Sequence, residues 1–303
     1  MAFTLPPYFT SIQDALSTFF GSNAKVARSD RVSGGDINEA FVLTLTNGSR
    51  VFMKANTREN DTFFATEAVG LHAIAQTKTI GTPQVLCSGT DKNMDGRSFL
   101  LLEYIDAKNS ISTYWETFAR QLAAMHQAST ADFTPQGKYG FIQDNFIGAA
   151  KQINTQQQSW IAFFRDCRLR PQFEAASNYF DITDLTKITK LLDNLDTFLT
   201  EPEYPSLLHG DLWSGNFITG TDGKAWLIDP AVYVGHAEAD IAMTELFGGF
   251  SPSFYDAYCE AAPMQPGYHR RRNLYNLYHL LNHLNLFGQA YLSSVKHIIN
   301  EYV

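Results

Sequence analysis

The sequence predicts an α+β fold, with a small strand-rich amino-terminal part and a larger helical part after it. Three observations support this prediction. Segments of strand composition dominate residues 40–104, an Asn-Gly dipeptide at 47–48 marks a hairpin turn, and helical periodicity prevails from Ser110 onward. We therefore predict two lobes, an amino-terminal lobe of residues 1–104 and a carboxy-terminal lobe of residues 105–303.

The amino-terminal part contains four predicted strands and two predicted helices. Each strand is a short run rich in Val, Phe, Leu or Thr, and each helix has apolar residues at intervals of three or four. The strands are 40–46, 50–54, 85–87 and 98–104, and the helices are 11–20 and 59–76. Thr10 or Ser11 is available to cap the first helix.

The carboxy-terminal part is predicted to be helical except for one hairpin. Helices are predicted from Ser110, at 159–179 and 185–199, and from Glu238, Ser253, Tyr268 and Gly288. The exception is a pair of short apolar strands, 216–219 and 224–229, which flank a turn at 220–223. A basic run at 270–272 is expected to be a solvated helix face, with a phosphate contact as the alternative.

The composition of the 303-residue chain excludes several classes of protein. A hydrophobic fraction of 45% with 18% charged residues is typical of a globular domain, and a net charge of -8 argues against a nucleic-acid partner. The beginning of the chain has no signal-peptide pattern, and apolar runs such as Phe99–Leu102 are too short for a membrane span. The scattered cysteines, Cys87, Cys167 and Cys259, form no CxxC pair. They favour reduced thiols in a cytoplasmic protein without a zinc site.

The strongest chemical signal is a three-part spacing of polar residues. Asp211 is followed five positions later by Asn216 and, after thirteen more, by Asp229 at the end of an apolar strand. Protein kinases use this arrangement for a catalytic Asp and two magnesium ligands, because the transferred phosphoryl group needs its charge neutralised by ions held on hard oxygens. Asp211 is the predicted base, and Asn216 and Asp229 are the predicted Mg²⁺ ligands. The alternative is that they only shape a turn and cap a strand.

Lys54 ends the predicted strand 50–54, where kinases place the lysine that binds the α- and β-phosphates of ATP. Glu67, on the following helix, is its predicted ion-pair partner, since the neighbouring apolar residues predict an inward-facing stripe. Glu59 is the competing candidate. A solvated surface lysine is the alternative for Lys54. Together with the acidic spacing, this lysine predicts an ATP- and Mg²⁺-dependent kinase with a bilobal, protein-kinase-like fold.

Two further segments are predicted to contact the nucleotide. Gly34 and Gly35 lie between predicted strands, where a phosphate-covering loop belongs, although paired glycines are usually only a turn. Glu103, Tyr104 and Ile105 occupy the expected hinge, where backbone groups would bind adenine. His126, outside both segments, lies on an apolar helix, and a hydrogen-bonded core histidine is the expected role.

With these residues in view, the chain resembles the fructosamine/ketosamine-3-kinase family, which is related to aminoglycoside phosphotransferases and choline kinases. The segment Leu-His-Gly-Asp-Leu-Trp-Ser-Gly-Asn at 208–216 is similar to the catalytic loop of that family. Further similarity covers most of the chain from about residue 25, including 145–148, 163–172, 228–236, 238–250, 266–268 and 282–288.

The resemblance implies a reaction and a substrate class. The reaction is transfer of the ATP γ-phosphate to the C3 hydroxyl of a ketoamine, which is the Amadori product of a sugar and an amine. The 3-phosphate is unstable and releases the amine, so the family is viewed as deglycation or protein-repair enzymes. The implied partners are ATP and either a small ketoamine or a glycated protein lysine.

Trp213 and His209 are assigned to the substrate side of the loop. Trp213 lies two residues beyond Asp211 and could stack against the sugar or its amine-bearing arm, with hydrophobic support of the loop as the alternative. Asp36 departs from the family, because many relatives have a cysteine just after the paired glycines. Thiol control at that position is therefore not expected here.

Two rival functions stay open. The first is a kinase of the same fold that acts on an aminoglycoside or a choline-like substrate. The Trp-Ser pair at 213–214 and the segment 248–250 count against it. The second is a nucleotide-binding protein that has lost catalysis, and the presence together of Lys54, Asp211, Asn216 and Asp229 counts against that.

Overall fold

The computed structural model describes residues 5–32, 38–57, 61–93 and 96–303. The described chain forms two compact units. The first contains the described residues up to Tyr114 together with Phe217–Pro230, and the second contains Trp115–Asn216 and Ala231–Val303. The assignment of residues 1–104 and 105–303 to two functional lobes stays a prediction.

The described residues contain both helices and strands, numbered here in chain order. The α-helices are α1 Ile12–Phe20, α2 Asp61–Thr77, α3 Tyr114–His126, α4 Trp160–Phe164, α5 Arg170–Ala175, α6 Ile182–Asp193, α7 Glu238–Leu246, α8 Pro252–Ala261, α9 Tyr268–Phe287 and α10 Leu292–Glu301. The β-strands are β1 Tyr8–Phe9, β2 Val26–Val32, β3 Glu39–Leu45, β4 Arg50–Asn56, β5 Val85–Asp91, β6 Arg97–Glu103, β7 Asn145–Ile147, β8 Ala150–Gln152, β9 Ser206–Leu208, β10 Phe217–Thr219, β11 Ala225–Leu227 and β12 Tyr233–Gly235.

The first unit is built on a six-stranded sheet of order β1-β5-β6-β4-β3-β2. The predicted hairpin is present as the antiparallel pair β3 and β4, with Val42 opposite Phe52. Its turn contains Gly48 at a φ of 84°, in the left-handed region where glycine meets no steric penalty. The Asn47 side chain accepts a hydrogen bond from the Ser49 N–H, which closes the turn. The Asn-Gly dipeptide therefore predicted the hairpin turn correctly.

Both faces of the central strands β4 and β6 are buried, whereas edge strand β2 is exposed. Along β6, alternate residues point to opposite faces, so Phe99 and Leu101 belong to one apolar cluster and Leu100 and Leu102 to another. Helix α1 covers the first face, and Ser11 is its cap, accepting a hydrogen bond from Asp14 N. Helix α2 covers the second face through residues including Phe64 and Leu71.

The hairpin of β10 and β11 is anchored to the segment that precedes β5. The Leu227 N–H donates to the Gly81 carbonyl over 2.8 Å, and the Thr82 hydroxyl donates to the Leu227 carbonyl over 2.9 Å. A Cβ atom at Gly81 would lie only 2.4 Å from the indole of Trp226, so this close packing requires glycine. The hairpin that ends near Asp229 is thereby fixed within the first unit.

The second unit is mainly helical, with α9 packed against α5, α7 and α10. Two short antiparallel pairs, β7 with β8 and β9 with β12, accompany the helices. The predicted helix at 159–179 begins as predicted, since the Ser159 hydroxyl accepts from Ala162 N. It is not one regular helix, however, because a π-helical turn, Arg165–Leu169, separates α4 from α5.

Two sequence-based expectations for the second unit are wrong. The helix predicted at 185–199 begins earlier, because Asp181 and Asp184 form a capping box at its start, and it ends at Asp193. The basic run at 270–272 is not a solvated face throughout, since Arg271 is buried in a bidentate ion pair with Glu238. Across the described ranges, no helix has both the length and the apolar character needed to cross a membrane.

Candidate active site

Lys54 lies on the face of the sheet that α2 covers. The alternation of β4 puts Val51 and Met53 in the apolar cluster of the opposite face, so Lys54 points the other way. Opposite Lys54 in the ladder is Leu100, which packs against α2. A lysine at this point of the strand is therefore buried, with 8% of its surface exposed, and requires a partner on α2.

Glu67 of α2 is that partner. The Lys54 Nζ atom lies 2.7 Å from Glu67 Oε1, and the same ammonium also forms an ion pair with Asp229. Burial alone would lower the pKa of Lys54, but the carboxylates of Asp229 and Glu67 raise it above its ordinary value. The lysine is therefore charged throughout the neutral range, and the predicted ion pair with Glu67 is present.

Asp229 follows the end of β11 and has an unusual backbone. Its φ is 53°, in the left-handed region that non-glycine residues seldom occupy. Such a conformation costs on the order of 1 kcal/mol or more and is found mostly at functional sites. Its side chain remains 45% exposed while it is paired with Lys54. This carboxylate therefore has oxygen surface available to a ligand.

In the second unit, Asp211 and Asn216 lie on one tight loop after β9. The Asn216 side-chain amide donates to the Asp211 carbonyl over 2.8 Å and to its carboxylate Oδ2 over 3.1 Å. The Asn216 backbone N–H donates to the Trp213 carbonyl, which closes the turn. No described residue donates a hydrogen bond to Asn216 Oδ1. The amide thus orients Asp211 with its nitrogen and retains an oxygen for a ligand.

A buried carboxylate, Asp240 of α7, anchors the start of this loop. Its two oxygens accept hydrogen bonds from the His209 N–H over 2.7 Å and from the Gly210 N–H over 2.9 Å. Burial would raise the pKa of Asp240, but hydrogen bonds from His126 and Gly210 lower it below its ordinary value. An ionised Asp240 therefore fixes the two residues that precede Asp211.

His126 supports Asp240 from the other side. Its Nε2 atom lies 3.2 Å from Asp240 Oδ2, and its Nδ1 atom lies 2.6 Å from the Tyr258 hydroxyl. An ionised carboxylate only accepts hydrogen bonds, so the Nε2 atom carries a proton and donates to Asp240. His126 is fully buried. Its predicted role as a hydrogen-bonded core histidine is confirmed.

The loop is also held by the chain that follows Asp229. The Ala231 N–H donates to the His209 carbonyl over 2.9 Å. The Ala231 carbonyl then approaches Gly210 so closely that a Cβ there would lie 2.1 Å from its oxygen. Gly210 has a φ of 81°, so both its conformation and its contact require glycine.

The two residues assigned to the substrate differ in exposure. The His209 ring is fully buried, and its Nδ1 atom accepts from the Asp211 N–H over 3.3 Å, which favours a supporting role. Trp213 is 39% exposed, and its indole lies over Gly215, where a Cβ would come within 2.3 Å of the ring. Substrate contact by either residue stays a prediction.

The predicted nucleotide contacts divide into described and undescribed residues. Gly34, Gly35, Asp36 and the alternative acid Glu59 lie outside the described residues. The hinge segment is described: Glu103 pairs through its backbone N–H with the Gln84 carbonyl over 2.8 Å. The Arg50 Cζ atom lies 4.1 Å from the centroid of the Tyr104 ring, so the guanidinium covers this ring. Ile105 is half-buried. Adenine binding by this segment stays a prediction.

The described ranges contain no group of three or more His, Cys, Asp and Glu side chains that could by itself hold a metal ion. A kinase-type Mg²⁺ site does not need such a group, because one or two protein oxygens act together with phosphate oxygens. The carboxylate of Asp229 and the Oδ1 atom of Asn216 are hard oxygen donors of the required kind. Each of these side chains has the ligand chemistry that Mg²⁺ prefers, and Mg²⁺ binding by them stays a prediction.

Asp240 was not assigned a role from the sequence. The available signal is an acid inside an apolar helix, Asp240 next to Ile241, Ala242 and Met243, since a carboxylate in such a stripe must be paired when buried. Its partners are backbone N–H groups 30 positions or more away in the chain. Backbone groups have no residue identity, so sequence alone does not name them.

A sheet unit with a doubly paired lysine and a helical unit with an acidic loop are typical of protein-kinase-like phosphotransferases. The sequence model of the family "Fructosamine kinase" matches residues 8–303. A "Probable ketoamine kinase" of Synechocystis sp. is 37% identical over 301 residues, covering 98% of this chain and 97% of that protein. The chloroplastic "Protein-ribulosamine 3-kinase" of Arabidopsis thaliana is 40% identical over 285 residues, covering 93% and 85%. The chain belongs to the fructosamine kinase family.

Solved structures agree with this membership. The crystal structure of a "Putative fructosamine-3-kinase" from Haemophilus somnus has a TM-score of 0.84 at 31% identity and covers 97% of both chains. Choline kinase LicA from Streptococcus pneumoniae has a TM-score of 0.56 at 14% identity, covering 95% of this chain and 96% of that chain, and supports the fold only. The predicted bilobal, protein-kinase-like α+β fold is confirmed. The protein is a phosphotransferase of a family that uses ATP and acts on a hydroxyl group.

Proposed function

We propose that this protein transfers the γ-phosphate of ATP to the C3 hydroxyl of a ketoamine. The observation that carries phosphoryl transfer is Lys54, charged, buried and held between Glu67 and Asp229. The ketoamine acceptor is supported by membership of the fructosamine kinase family and by full-length relatives named ketoamine kinase and protein-ribulosamine 3-kinase.

Asp211 is the proposed base. Its carboxylate orients the C3 hydroxyl and takes its proton as the hydroxyl oxygen forms a bond to the γ-phosphorus. The bond between that phosphorus and the β,γ-bridging oxygen breaks, and ADP leaves. The amide of Asn216 restricts the Asp211 carboxylate to one orientation, and Asp240 fixes the backbone before it. Positioning of this kind supplies most of the catalysis in phosphoryl transfer.

The nucleotide is proposed to bind through four features. Lys54, positioned by Glu67, neutralises the α- and β-phosphates, and Gly34 with Gly35 covers them. Backbone groups of Glu103, Tyr104 and Ile105 bind the adenine. Asn216 and Asp229 are proposed to supply oxygen ligands to Mg²⁺, which neutralises charge on the phosphates when bound.

The product suggests the cellular role. A ketoamine 3-phosphate breaks down and frees the amine, so the proposed role is deglycation of small amines or of protein lysines. Because the reaction consumes ATP, we propose that it takes place in the cytoplasm. The acceptor arm bears an amine, and Trp213 and His209 are the loop residues proposed to lie on the substrate side.

The decisive experiment is an acceptor panel with the purified protein and Mg-ATP. Fructosyl-, ribulosyl- and psicosyl-lysine are compared with an aminoglycoside and choline, and ADP release and phosphorylated product are measured. We expect turnover with at least one ketoamine, with phosphorus NMR assigning the phosphate to C3. Turnover only with the aminoglycoside or choline would support the first rival function instead. Nucleotide binding without turnover on any acceptor would support the second.

A further inference from the structure

Arg168 is a fully buried arginine with no acidic partner in the described part of the chain. Its Nη1 atom donates to the carbonyls of Ile153 and Cys167 over 2.6 and 2.8 Å, and its Nη2 atom donates to Asn154 Oδ1 over 2.7 Å. Its Nε atom is buried without a hydrogen-bond partner among the described residues. A buried guanidinium that contacts only neutral groups lowers the stability of the fold, since buried charges are normally paired with an opposite charge. Stability alone therefore does not explain this arginine.

The local backbone is built to turn this side chain inward. Arg168 lies in the π-helical turn Arg165–Leu169, where three consecutive residues, Cys167 to Leu169, are buried. A regular α-helix directs successive side chains about 100° apart, so its buried face repeats every three or four residues. The wider π turn lets Arg168 join the buried set, and turns of this kind recur at functional sites.

Aromatic rings take the place of an acid around the guanidinium. The Arg168 Cζ atom lies 3.9 Å from the ring centroid of Tyr233, 4.6 Å from that of Phe163 and 5.5 Å from that of Tyr278. The negative faces of such rings stabilise a cation. Tyr233 is also a neighbour of the catalytic loop, because a Cβ at Gly210 would lie 3.2 Å from its ring. The contact therefore runs from Arg168 through one ring to the loop.

A second connection runs through three buried amides, Asn145, Gln152 and Asn154, which we name the amide shell. Asn154, bound to Arg168, donates to Asn145 Oδ1 over 2.9 Å, and Asn145 donates to the Val232 carbonyl over 2.7 Å. Gln152 donates to Asn145 Oδ1 over 2.7 Å and to the Ala231 carbonyl over 3.0 Å.

Both connections end on the segment 231–233, which itself holds the loop. Ala231 binds the His209 carbonyl through its N–H, and its own carbonyl contacts Gly210. Tyr233 pairs with Leu208, the last residue of β9. Any shift of 231–233 therefore displaces the residues directly before Asp211.

We propose that Arg168 is a positioning residue that, through Tyr233 and the amide shell, holds segment 231–233 against the loop that carries Asp211. This inference rests on the proposed function of Asp211 as the base. A displacement of about 1 Å at a reacting group lowers turnover by about 100-fold, so a residue that never touches substrate can still limit the rate.

The test compares two arginines of the same π turn. Arg168→Met keeps a long apolar side chain and removes the guanidinium, whereas Arg165→Met alters an arginine paired at the surface with Asp166. We expect Arg168→Met to lower kcat by about 10- to 100-fold with the Kd for ATP within twofold of wild type. Arg165→Met should keep the wild-type kcat. Arg168→Lys, which restores a cation without the planar fork, should recover only part of the loss.

Hydrogen exchange makes the test independent of the acceptor. In Arg168→Met, the amides of peptide 206–216 should exchange about tenfold faster than in wild type, while Arg165→Met leaves them unchanged. Failure of wild type to phosphorylate any ketoamine would remove the proposed function but leave this exchange comparison valid. Wild-type exchange together with wild-type kcat in Arg168→Met would overturn the inference, as would a change confined to the KM for ATP.

A second variant covers the case in which Arg168→Met does not fold. Gln152→Met is close in shape and removes the hydrogen bond to the Ala231 carbonyl and the acceptor of the Tyr278 hydroxyl. We expect a kcat loss of about 3- to 30-fold and faster exchange in peptide 206–216. If Gln152→Met folds with wild-type kcat and exchange, the amide shell does not position the loop and the inference fails.

Discussion

The two groups of candidate residues are held in opposite ways. In the first unit, Lys54, Glu67 and Asp229 hold one another by charge, side chain to side chain. In the second unit, Asp211 lies on a loop whose preceding backbone N–H groups are bound by the buried carboxylate of Asp240. In the first group, the side chains that are proposed to contact phosphate or metal are therefore the same ones that hold the group together. The second depends on a buried carboxylate whose hydrogen bonds are to backbone N–H groups and to His126.

This difference separates binding from turnover. Substitutions among Lys54, Glu67 and Asp229, the charged group, change what a phosphate or a metal ion would contact, so they should alter nucleotide binding directly. Substitutions behind the loop change only where Asp211 lies, so they should alter turnover and leave nucleotide binding intact. Of the five predictions below, ordered from the largest expected effect to the smallest, the first three test that separation, and the last two test how acid affects the second unit and how oxidation affects activity.

Asp229→Ala should abolish both Mg-ATP binding and turnover. It removes a proposed metal ligand and one of the two carboxylates that pair with Lys54. Asp229→Asn is the matched control for the backbone, because asparagine tolerates the left-handed φ and removes only the charge. Calorimetry of Mg-ATP binding is the measurement. Wild-type affinity in Asp229→Ala would contradict the assignment of Asp229.

Asp211→Asn should lower turnover by roughly two to four orders of magnitude. The amide keeps the shape of the side chain but cannot accept a proton. The Kd for Mg-ATP should stay within about twofold of wild type, which is the contrast with Asp229→Ala. Steady-state kinetics gives kcat, and calorimetry on the same preparations gives the Kd for Mg-ATP. A near-normal kcat in the pure variant would remove Asp211 from the mechanism.

Asp240→Asn should lower kcat by about 10- to 100-fold without changing the Kd for ATP. An amide has one acceptor oxygen, so one of the backbone N–H groups of His209 and Gly210 is left buried and unpaired, at a cost of about 1–3 kcal/mol. Tyr258→Phe is the control, since it removes only the hydroxyl that binds His126. Tyr258→Phe should lower kcat less than Asp240→Asn does. That difference would distinguish loss of the loop anchor from a general loss of core packing. Equal kinetics in the two variants would break the proposed separation.

His279 of α9 should make the second unit sensitive to acid. Burial lowers the pKa of His279 from its ordinary 6.5 to about 3. As the pH falls below 6.5 the unfolded chain binds a proton that the native state does not, so stability falls by about 1.4 kcal/mol per pH unit. Between pH 6.5 and 5 this group should therefore remove about 2 kcal/mol. Lys54, with its raised pKa, stays charged over that range.

Chemical denaturation at pH 7 and pH 5 checks this prediction. His279→Gln is neutral at both pH values, so it should lose less stability on acidification than wild type. The difference between the two proteins is the contribution of His279, whatever other groups titrate. The same loss in both proteins would show that His279 is protonated in the native state or does not titrate between the two pH values.

Oxidation should have the smallest effect, because neither group of residues contains a thiol. Burial raises the pKa of Cys87 to about 12 and also raises that of Cys167. Cys259 is exposed, and partial burial and Asp256 raise its pKa too. Protonated thiols are poor nucleophiles, so activity should be nearly equal in reductant and in mild oxidant, without disulfide-linked dimers on a non-reducing gel. Activity that is lost on oxidation and regained with reductant would contradict this.

Sequence patterns predicted the elements of the first unit whose signals are local. The Asn-Gly turn, the cap at Ser11 and the lysine in a hydrophobic strand each depend on a few neighbouring residues, although β4 continues two residues beyond Lys54, where the predicted strand ended. No bounds were predicted for a strand before the paired glycines, because every residue of β2, Val26–Val32, is exposed and the strand shows no alternation of buried and exposed positions. Strand β1 is two residues long and pairs with β5 through contacts remote in the chain, a relation that carries no local signal.

The support of the catalytic loop was beyond local patterns for a related reason. Asp211, Asn216 and Asp229 are recognisable because kinases place the side chains of a base and of metal ligands at this fixed spacing. Asp240 and Arg168 act on backbone carbonyls and N–H groups that any sequence possesses. A π turn, Arg165–Leu169, lies where a regular helix was predicted, and its buried Arg168 contacts residues distant in the chain.

The hairpin anchored at Gly81 has a consequence for how the protein is made. The six-stranded sheet is complete at Glu103, but Trp226 and Leu227, which pack on Gly81 and bind it, emerge from the ribosome about 120 residues later. At a synthesis rate of about 5–20 residues per second, the β10–β11 hairpin follows the sheet by roughly 6 to 24 s. During that interval the nascent sheet leaves the Gly81 carbonyl without its hairpin partner. Lys54 likewise lacks Asp229, so the charged group is assembled only after most of the second unit has been translated.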